Sequence, residues 1–429
     1  MRIAAVVLAV AVLSAVGASA AAAAGWGRPF RLAEPQTTDI TPAQIAFSTG
    51  GEAAVSFGTQ DEDDPAISHA FVTLWSPREG VSAARRVPGA QQVLDLAFEG
   101  TTLKLLTGKA GGGRACCDSV ALTGLAGGGF GRPRTLVSGL TSATLGSLAA
   151  SPTGLLAAIA TVRGVWASHS GSGGRLSAAR RLNAPAQMPW TLAATSLPRG
   201  QTTVAWTATT GQPGEIGPSR IFVAQGNPPG ARPGAHPAVA LGEGHQIDQL
   251  ELAPGRGSMT MAWIESWFDH SGSYHSEAVV SDLGRSRERP FPIPGQLASG
   301  LTIAGNANGD QVIAWKACDG TMCAVYAAVR RASGRFTSPT PLGAVDAYQN
   351  PAAAISARGL ALVGWIKGGH VLAAARSSGA NRFAPTRLVS DTSYASDLAL
   401  DYGPGRRALA AWTQGSFAPD VVGEVYSSP

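Results

Sequence analysis

Asn308-Gly309-Asp310-Gln311-Val312-Ile313-Ala314-Trp315 reads as a tight turn running straight into a strand. Asn and Gly take the backbone angles a reversal needs, and Val312 and Ile313 are β-branched and suit a buried pleat. The pattern returns at 51–57, 200–206, 257–263, 359–365 and 405–412, ending in Phe57, Trp206, Trp263, Trp365 and Trp412. Two degenerate copies, 100–106 and 154–160, end in Leu106 and Ala160. The copies lie about 50 residues apart, too long for a helical hairpin repeat and the right length for a four-stranded sheet unit.

The other parts of such a unit surround each copy. Alternating strands precede it at 93–98, 249–253 and 397–402, and further strands follow at 324–330 and 370–376. A shared turn then leads to a last short strand: Gly174-Arg175-Leu176, Gly334-Arg335-Phe336 and Asn381-Arg382-Phe383. Alternation between Gly-rich turns is the all-β signature. The expectation is a β-propeller of eight four-stranded blades, or of seven if the copy near Leu106 or Ala160 is not a true blade.

The ends fit a closed ring. The last unit stops after its third strand near Val425, and Gly27-Arg28-Pro29-Phe30-Arg31-Leu32 looks like its missing fourth. Pairing the two would leave no free edge in the ring.

Residues 1–24 read as a secretory leader, with one charge at Arg2, an apolar run and a small-residue stretch ending near Ala24. The rest, 25–429, keeps one composition throughout, which points to a single repetitive domain, exported and soluble, with no later membrane span and a monomeric state expected. Of 429 residues only 14% are charged, and the net charge is +5. The arginines are scattered along the chain, which argues against a nucleic-acid partner.

The four cysteines suit an oxidising compartment. Cys318 and Cys323 bracket the turn Asp319-Gly320-Thr321-Met322, so a disulfide across a hairpin is expected, while the adjacent Cys116 and Cys117 read as a vicinal pair or as free thiols. No His stands near either pair at zinc spacing.

The quoted unit, with Val325-Tyr326-Ala327-Ala328-Val329-Arg330 and Gly334-Arg335-Phe336-Thr337-Ser338-Pro339, resembles repeats of secreted actinobacterial propeller-like proteins of largely unassigned function. The resemblance spans nearly all of 25–429 and implies fold and export but no activity. Sialidase-type boxes need an Asp that Ser356-Ala357-Arg358-Gly359 lacks, no Trp-Asp pair occurs, and the Gly-Gly doublets do not follow the kelch pattern.

In a four-stranded blade, the turns between strands two and three share one rim with the links between blades. On that rim fall Trp190, His245, Asp248, Glu265, Trp267, Asp269, His270, Tyr274, His275 and Tyr348, the candidate ligand-binding residues. Aromatics beside carboxylates and imidazoles suit a glycan or an extracellular protein. Asp61, Asp63 and Asp64 form an acidic run whose oxygens could hold Ca²⁺, although solvated acidic loops look the same and the EF-hand order is missing. No other cofactor is implied. The opposite rim reads as ordinary turns, and the recurrent tryptophans read as packing between blades. No Gly-x-Ser-x-Gly elbow, His-Glu-x-x-His helix or phosphate loop appears, so a binding or scaffold module is expected, with a hydrolase or lyase at the ring mouth as the alternative.

Overall fold

The computed structural model describes residues 25–33, 40–60, 68–109, 117–140, 144–171, 176–184, 187–209, 217, 219–226, 237–284, 289–332, 334–390, 393–404, 406–415 and 420–427. The expected leader at 1–24, the acidic run at Asp61, Asp63 and Asp64, and Cys116 lie outside them. All described elements are strands, turns or coil, and they form eight antiparallel blades of the propeller expected from the repeat.

The innermost strands of blades 1 to 8 are Ile40–Phe47, Gln92–Glu99, Leu145–Ser151, Met188–Ser196, His245–Pro254, Leu297–Gly305, Ala352–Ile355 and Ala395–Tyr402. Each pairs with the next strand of its own blade, and neighbouring inner strands pack side by side around the ring. Blade 8 is built from both ends of the chain: Asp420–Ser427 pairs with Gly25–Trp26 and Phe30–Ala33. This is the closure the sequence suggested.

The cores lie between blades. Trp206, Trp263, Trp315, Trp365 and Trp412 are at most 1% exposed, and each packs on the preceding blade, Trp263 for instance against Ala205 and Ile221 of blade 4. The degenerate copies are true blades with a shorter turn. Glu99 pairs with Thr102, and Ser151 with Gly154, whereas Gly305 pairs with Gln311 across a longer turn. The tryptophan position therefore shifts by one, and Leu105 and Ile159 fill it, facing blades 1 and 2 respectively, while Leu106 and Ala160 face onward. That shift is why these copies looked degenerate.

The long turns are built alike. Asn306 N donates to Asp310 O at 3.0 Å, Gly309 N donates to Asn306 O at 2.9 Å, and Asp310 N donates to the Asn306 side chain at 2.9 Å. Ser356 and Ser48 play the Asn306 part in their own blades, accepting from Leu360 N and Glu52 N at 3.0 Å each. Gly309 has φ +89°, and a Cβ there would lie 2.5 Å from Arg256 N, so the turn requires glycine.

Bulges interrupt the inner strands near their starts, at Leu94, Trp190, Asp248, Gly300 with Leu301, and Asp397 with Leu398. A bulge frees backbone groups, and side chains from the preceding blade satisfy several of them. Gln44 Nε2 donates to Leu94 O at 3.0 Å, Leu301 N donates to Gln249 Oε1 at 2.7 Å, and Asp397 N donates to Gln349 Oε1 at 3.2 Å. Such bonds tie blade 1 to blade 2, blade 5 to blade 6 and blade 7 to blade 8.

The disulfide Cys318–Cys323 is formed, and none of the described cysteines is free. Cys117 is disulfide-bonded. Among the described residues no helix is long and apolar enough to cross a membrane.

Candidate functional site

Inner strands begin, and strands two and three are joined, on one rim, here called upper. In blade 5 the inner strand His245–Pro254 pairs with Met259–Phe268, which pairs with Tyr274–Asp282. Register places His245 opposite Trp267 and Trp267 opposite His275. Side chains directly across a sheet lie close, and these three rings stack as a ladder. The His245 and Trp267 centroids are 5.2 Å apart at 8° between planes, and those of Trp267 and His275 are 5.5 Å apart at 20°.

Carboxylates hold both ends of the ladder. His245 Nδ1 lies 2.6 Å from Glu265 Oε1, and His275 Nε2 lies 2.8 Å from Asp269 Oδ2. Asp269 also organises its turn: its Oδ1 accepts from Ser271 N at 2.8 Å, Ser271 Oγ at 2.6 Å and Ser273 N at 3.0 Å. Those bonds, the Ser271 hydroxyl first and then His275, hold its carboxyl well below the usual carboxylate range, so it stays ionised. Glu277 sits opposite Glu265 and is pushed up, first by burial and then by the Glu265 charge, while His245 acts in the other direction.

The other face of the same strands carries a second group. Tyr274 O–H donates to Asp248 Oδ2 at 3.4 Å, and the bulge at Asp248 turns this side chain out to meet it. Phe268 packs on Tyr274 with centroids 5.2 Å apart. Phe268 is 60% exposed and Tyr274 43%. Ser276 Oγ donates to Ala298 O at 2.9 Å, which brings the exposed Leu297 of blade 6 alongside. Both faces of Trp267 are covered by histidine rings, so Phe268 and Tyr274 are the rings left open.

The structure thus brings together seven of the sequence candidates: His245, Asp248, Glu265, Trp267, Asp269, Tyr274 and His275. His270 is exposed in the turn between the two strands. Trp190 stands half exposed on the neighbouring inner strand of blade 4, and Tyr348 stands almost fully exposed between blades 6 and 7. Phe268, Glu277, Leu297, Met188, Met322 and Tyr394 were not among the candidate ligand-binding residues read from the sequence. The cue for Phe268 was its place next to Trp267 at the strand end, but alternation alone does not say which side of the sheet is covered.

Among the described residues, the exposed large apolar side chains are Leu145, Val162, Met188, Trp190, Phe268, Tyr274, Leu297, Met322, Tyr348, Leu388 and Tyr394. All except Leu388, on the outermost strand of blade 7, belong to the upper rim. The two ends of the ring differ sharply in surface chemistry.

No protein-family model matches the chain, and no curated protein matches it. Solved structures do. The chain is similar to the Dos1 propeller (12% identity, TM-score 0.53, covering 93% of this chain and 94% of that one) and to the polysaccharide lyase Uly1 (10% identity, TM-score 0.50, covering 92% and 90%). A likeness at such identity speaks to the propeller fold.

Proposed function

We propose that the protein is an exported binding module that recognises a glycan through its upper rim, with blade 5 as the centre. The observation that supports this reading is the gathering of exposed aromatic and apolar side chains on one rim, around an ordered set of imidazoles and carboxylates. Apolar patches edged with polar groups mark interaction surfaces. Open rings such as Phe268 and Tyr274 suit the C–H faces of a sugar, and Asp248 offers acceptors to hydroxyls beside them. The leader-like N-terminus and the disulfide support export.

The experiment is binding of the purified protein to an array of glycans, followed by titration of any hit with Phe268→Ala and Tyr274→Ala. These exposed positions contribute little to the fold, so a loss of about tenfold or more on either change is the expected result. A glycan bound equally well by both variants, or no glycan bound at all, would remove the reading and favour a protein partner.

A second reading has its own observation. Glu277, held toward its protonated form, faces the His245 and Glu265 pair, and such a set is suited to proton transfer in a hydrolase or lyase. Release of reducing ends or unsaturated product from the bound glycan, abolished by Glu277→Gln, would support it.

A further inference from the structure

The lower rim carries its own chemistry on blades 5 to 7. Strand three of each blade ends there, and the turn to the outer strand follows. Between blades 5 and 6 lies a groove of about 670 Å³, lined by Arg289, Arg330 and Arg335 together with Pro290, Asp282 and the buried Val280 and Phe336. Between blades 6 and 7 a narrow cleft continues it, lined by Arg330, Arg331 and Arg376. Arg330 lines both, so the two adjoin at the foot of blade 6 and are taken together as one track.

Four of the five guanidinium groups are held in place, three of them without a counter-charge among the described residues. Arg330 is the exception: it meets Asp282 at 2.8 and 3.0 Å, donates to Thr260 Oγ1 at 2.6 Å and stacks on Phe336 at 4.9 Å. Arg289 donates to Phe336 O at 2.6 Å and lies over Phe291 at 5.3 Å. Arg331 donates to Ser378 O, and Arg376 Nε donates to Ala380 O at 3.0 Å. Backbone carbonyls orient these groups but leave their charge whole. Among the described residues, Arg289, Arg331, Arg335 and Arg376 form no ion pair. Asp282 and Asp310 are the carboxylates lining the track, and Asp310 is occupied by Asn306 and Ala332. Arg331 and Arg376 are close enough that, after burial, the like charge is what pushes the Arg376 guanidinium down.

We propose that this track binds an acidic polysaccharide, its carboxylate or sulfate groups meeting the arginines. Arginine forks match planar oxyanions, and pre-oriented donors bind at low entropic cost. A nucleic acid fits less well. Phe291 and Phe336 are at most 4% exposed and already bear guanidinium groups, so no ring is open for a base to stack on.

The test is titration of the purified protein with uronate oligosaccharides, sulfated oligosaccharides, a neutral oligosaccharide of equal length and a single-stranded oligonucleotide of equal charge. Binding of at least one acidic sugar, absent for the neutral one and weakening with salt, is expected, and the two acidic arms show which oxyanion is preferred. Arg335→Gln should weaken it about tenfold and Arg335→Glu more, while Leu388→Ala, on the exposed outermost strand of blade 7, should leave it unchanged. Arg335 is exposed, so neither of its variants threatens the fold. Equal affinity for the neutral sugar, equal or tighter binding of the oligonucleotide, or indifference to Arg335→Glu would overturn the proposal. Loss with Phe268→Ala but not with Arg335→Glu would assign the acidic sugar to the upper rim instead.

Discussion

Asp95 sits on the inner strand of blade 2 and joins it to blade 3: its Oδ1 accepts from Leu96 N at 2.7 Å and its Oδ2 from Leu148 N at 2.6 Å. Burial outweighs these bonds and pushes its carboxyl up to about 6 from 3.8. A raised acid holds in the folded state a proton that the unfolded chain has released. Stability is therefore full below about pH 4 and is lost as pH rises through about 6, by about 3 kcal/mol in all. Asp401 behaves alike: it accepts from Tyr402 N at 2.7 Å and from Phe47 N of blade 1, and burial raises it to about 7. Asp95→Asn removes the titration but leaves one of the two amides without its acceptor, a loss of about 1 kcal/mol. Urea unfolding from pH 4 to pH 8 should then give crossing curves. The variant is less stable than wild type by about 1 kcal/mol at pH 4 and more stable by about 2 kcal/mol at pH 8. Parallel curves, or a wild type whose stability rises over this range, would refute the account of Asp95 as a buried acid.

Trp263→Ala empties a fully buried site between blades 4 and 5 and should lower unfolding stability by about 3–5 kcal/mol, measured in urea. Cys318→Ser with Cys323→Ser opens a bridge that closes only a short hairpin, so the loss should be near 2 kcal/mol, roughly what the loop length implies; a loss as large as that of the tryptophan would show a wider role. Gly309→Ala forces a Cβ against the Arg256 backbone at positive φ, and a melting midpoint unchanged by it would contradict the turn geometry; at least about 1 kcal/mol of destabilisation is expected.

Much of the ring was legible because it is periodic. A strand, its turn and its packing residue recur in every blade, so the recurrence reveals eight units even where two turns are shorter and the tryptophan gives way to Leu105 and Ile159. Closure through Phe30 and Arg31 was legible for the same reason: a unit lacking one strand invites the strand that lacks a unit. The upper rim was legible as a collection of residues, since strand order alone sends loops to one end or the other.

What only the tertiary structure decided is which side chains meet. His245, Trp267 and His275 sit on three consecutive strands and stack because cross-strand register aligns them, and the pairing of His245 with Trp267 depends on the bulge at Asp248. Bulges are held by bonds between blades, such as Leu301 N to Gln249, that no local pattern announces. The arginines tell the same story from the other rim. In sequence Arg289, the group Arg330, Arg331 and Arg335, and Arg376 are about 40 residues apart, and they form one track because successive blades deliver the turn between their third and fourth strands to the same edge. Local alternation and turn chemistry therefore determined the blades by themselves, whereas the sites arise from register and from packing between blades, which are properties of the closed ring.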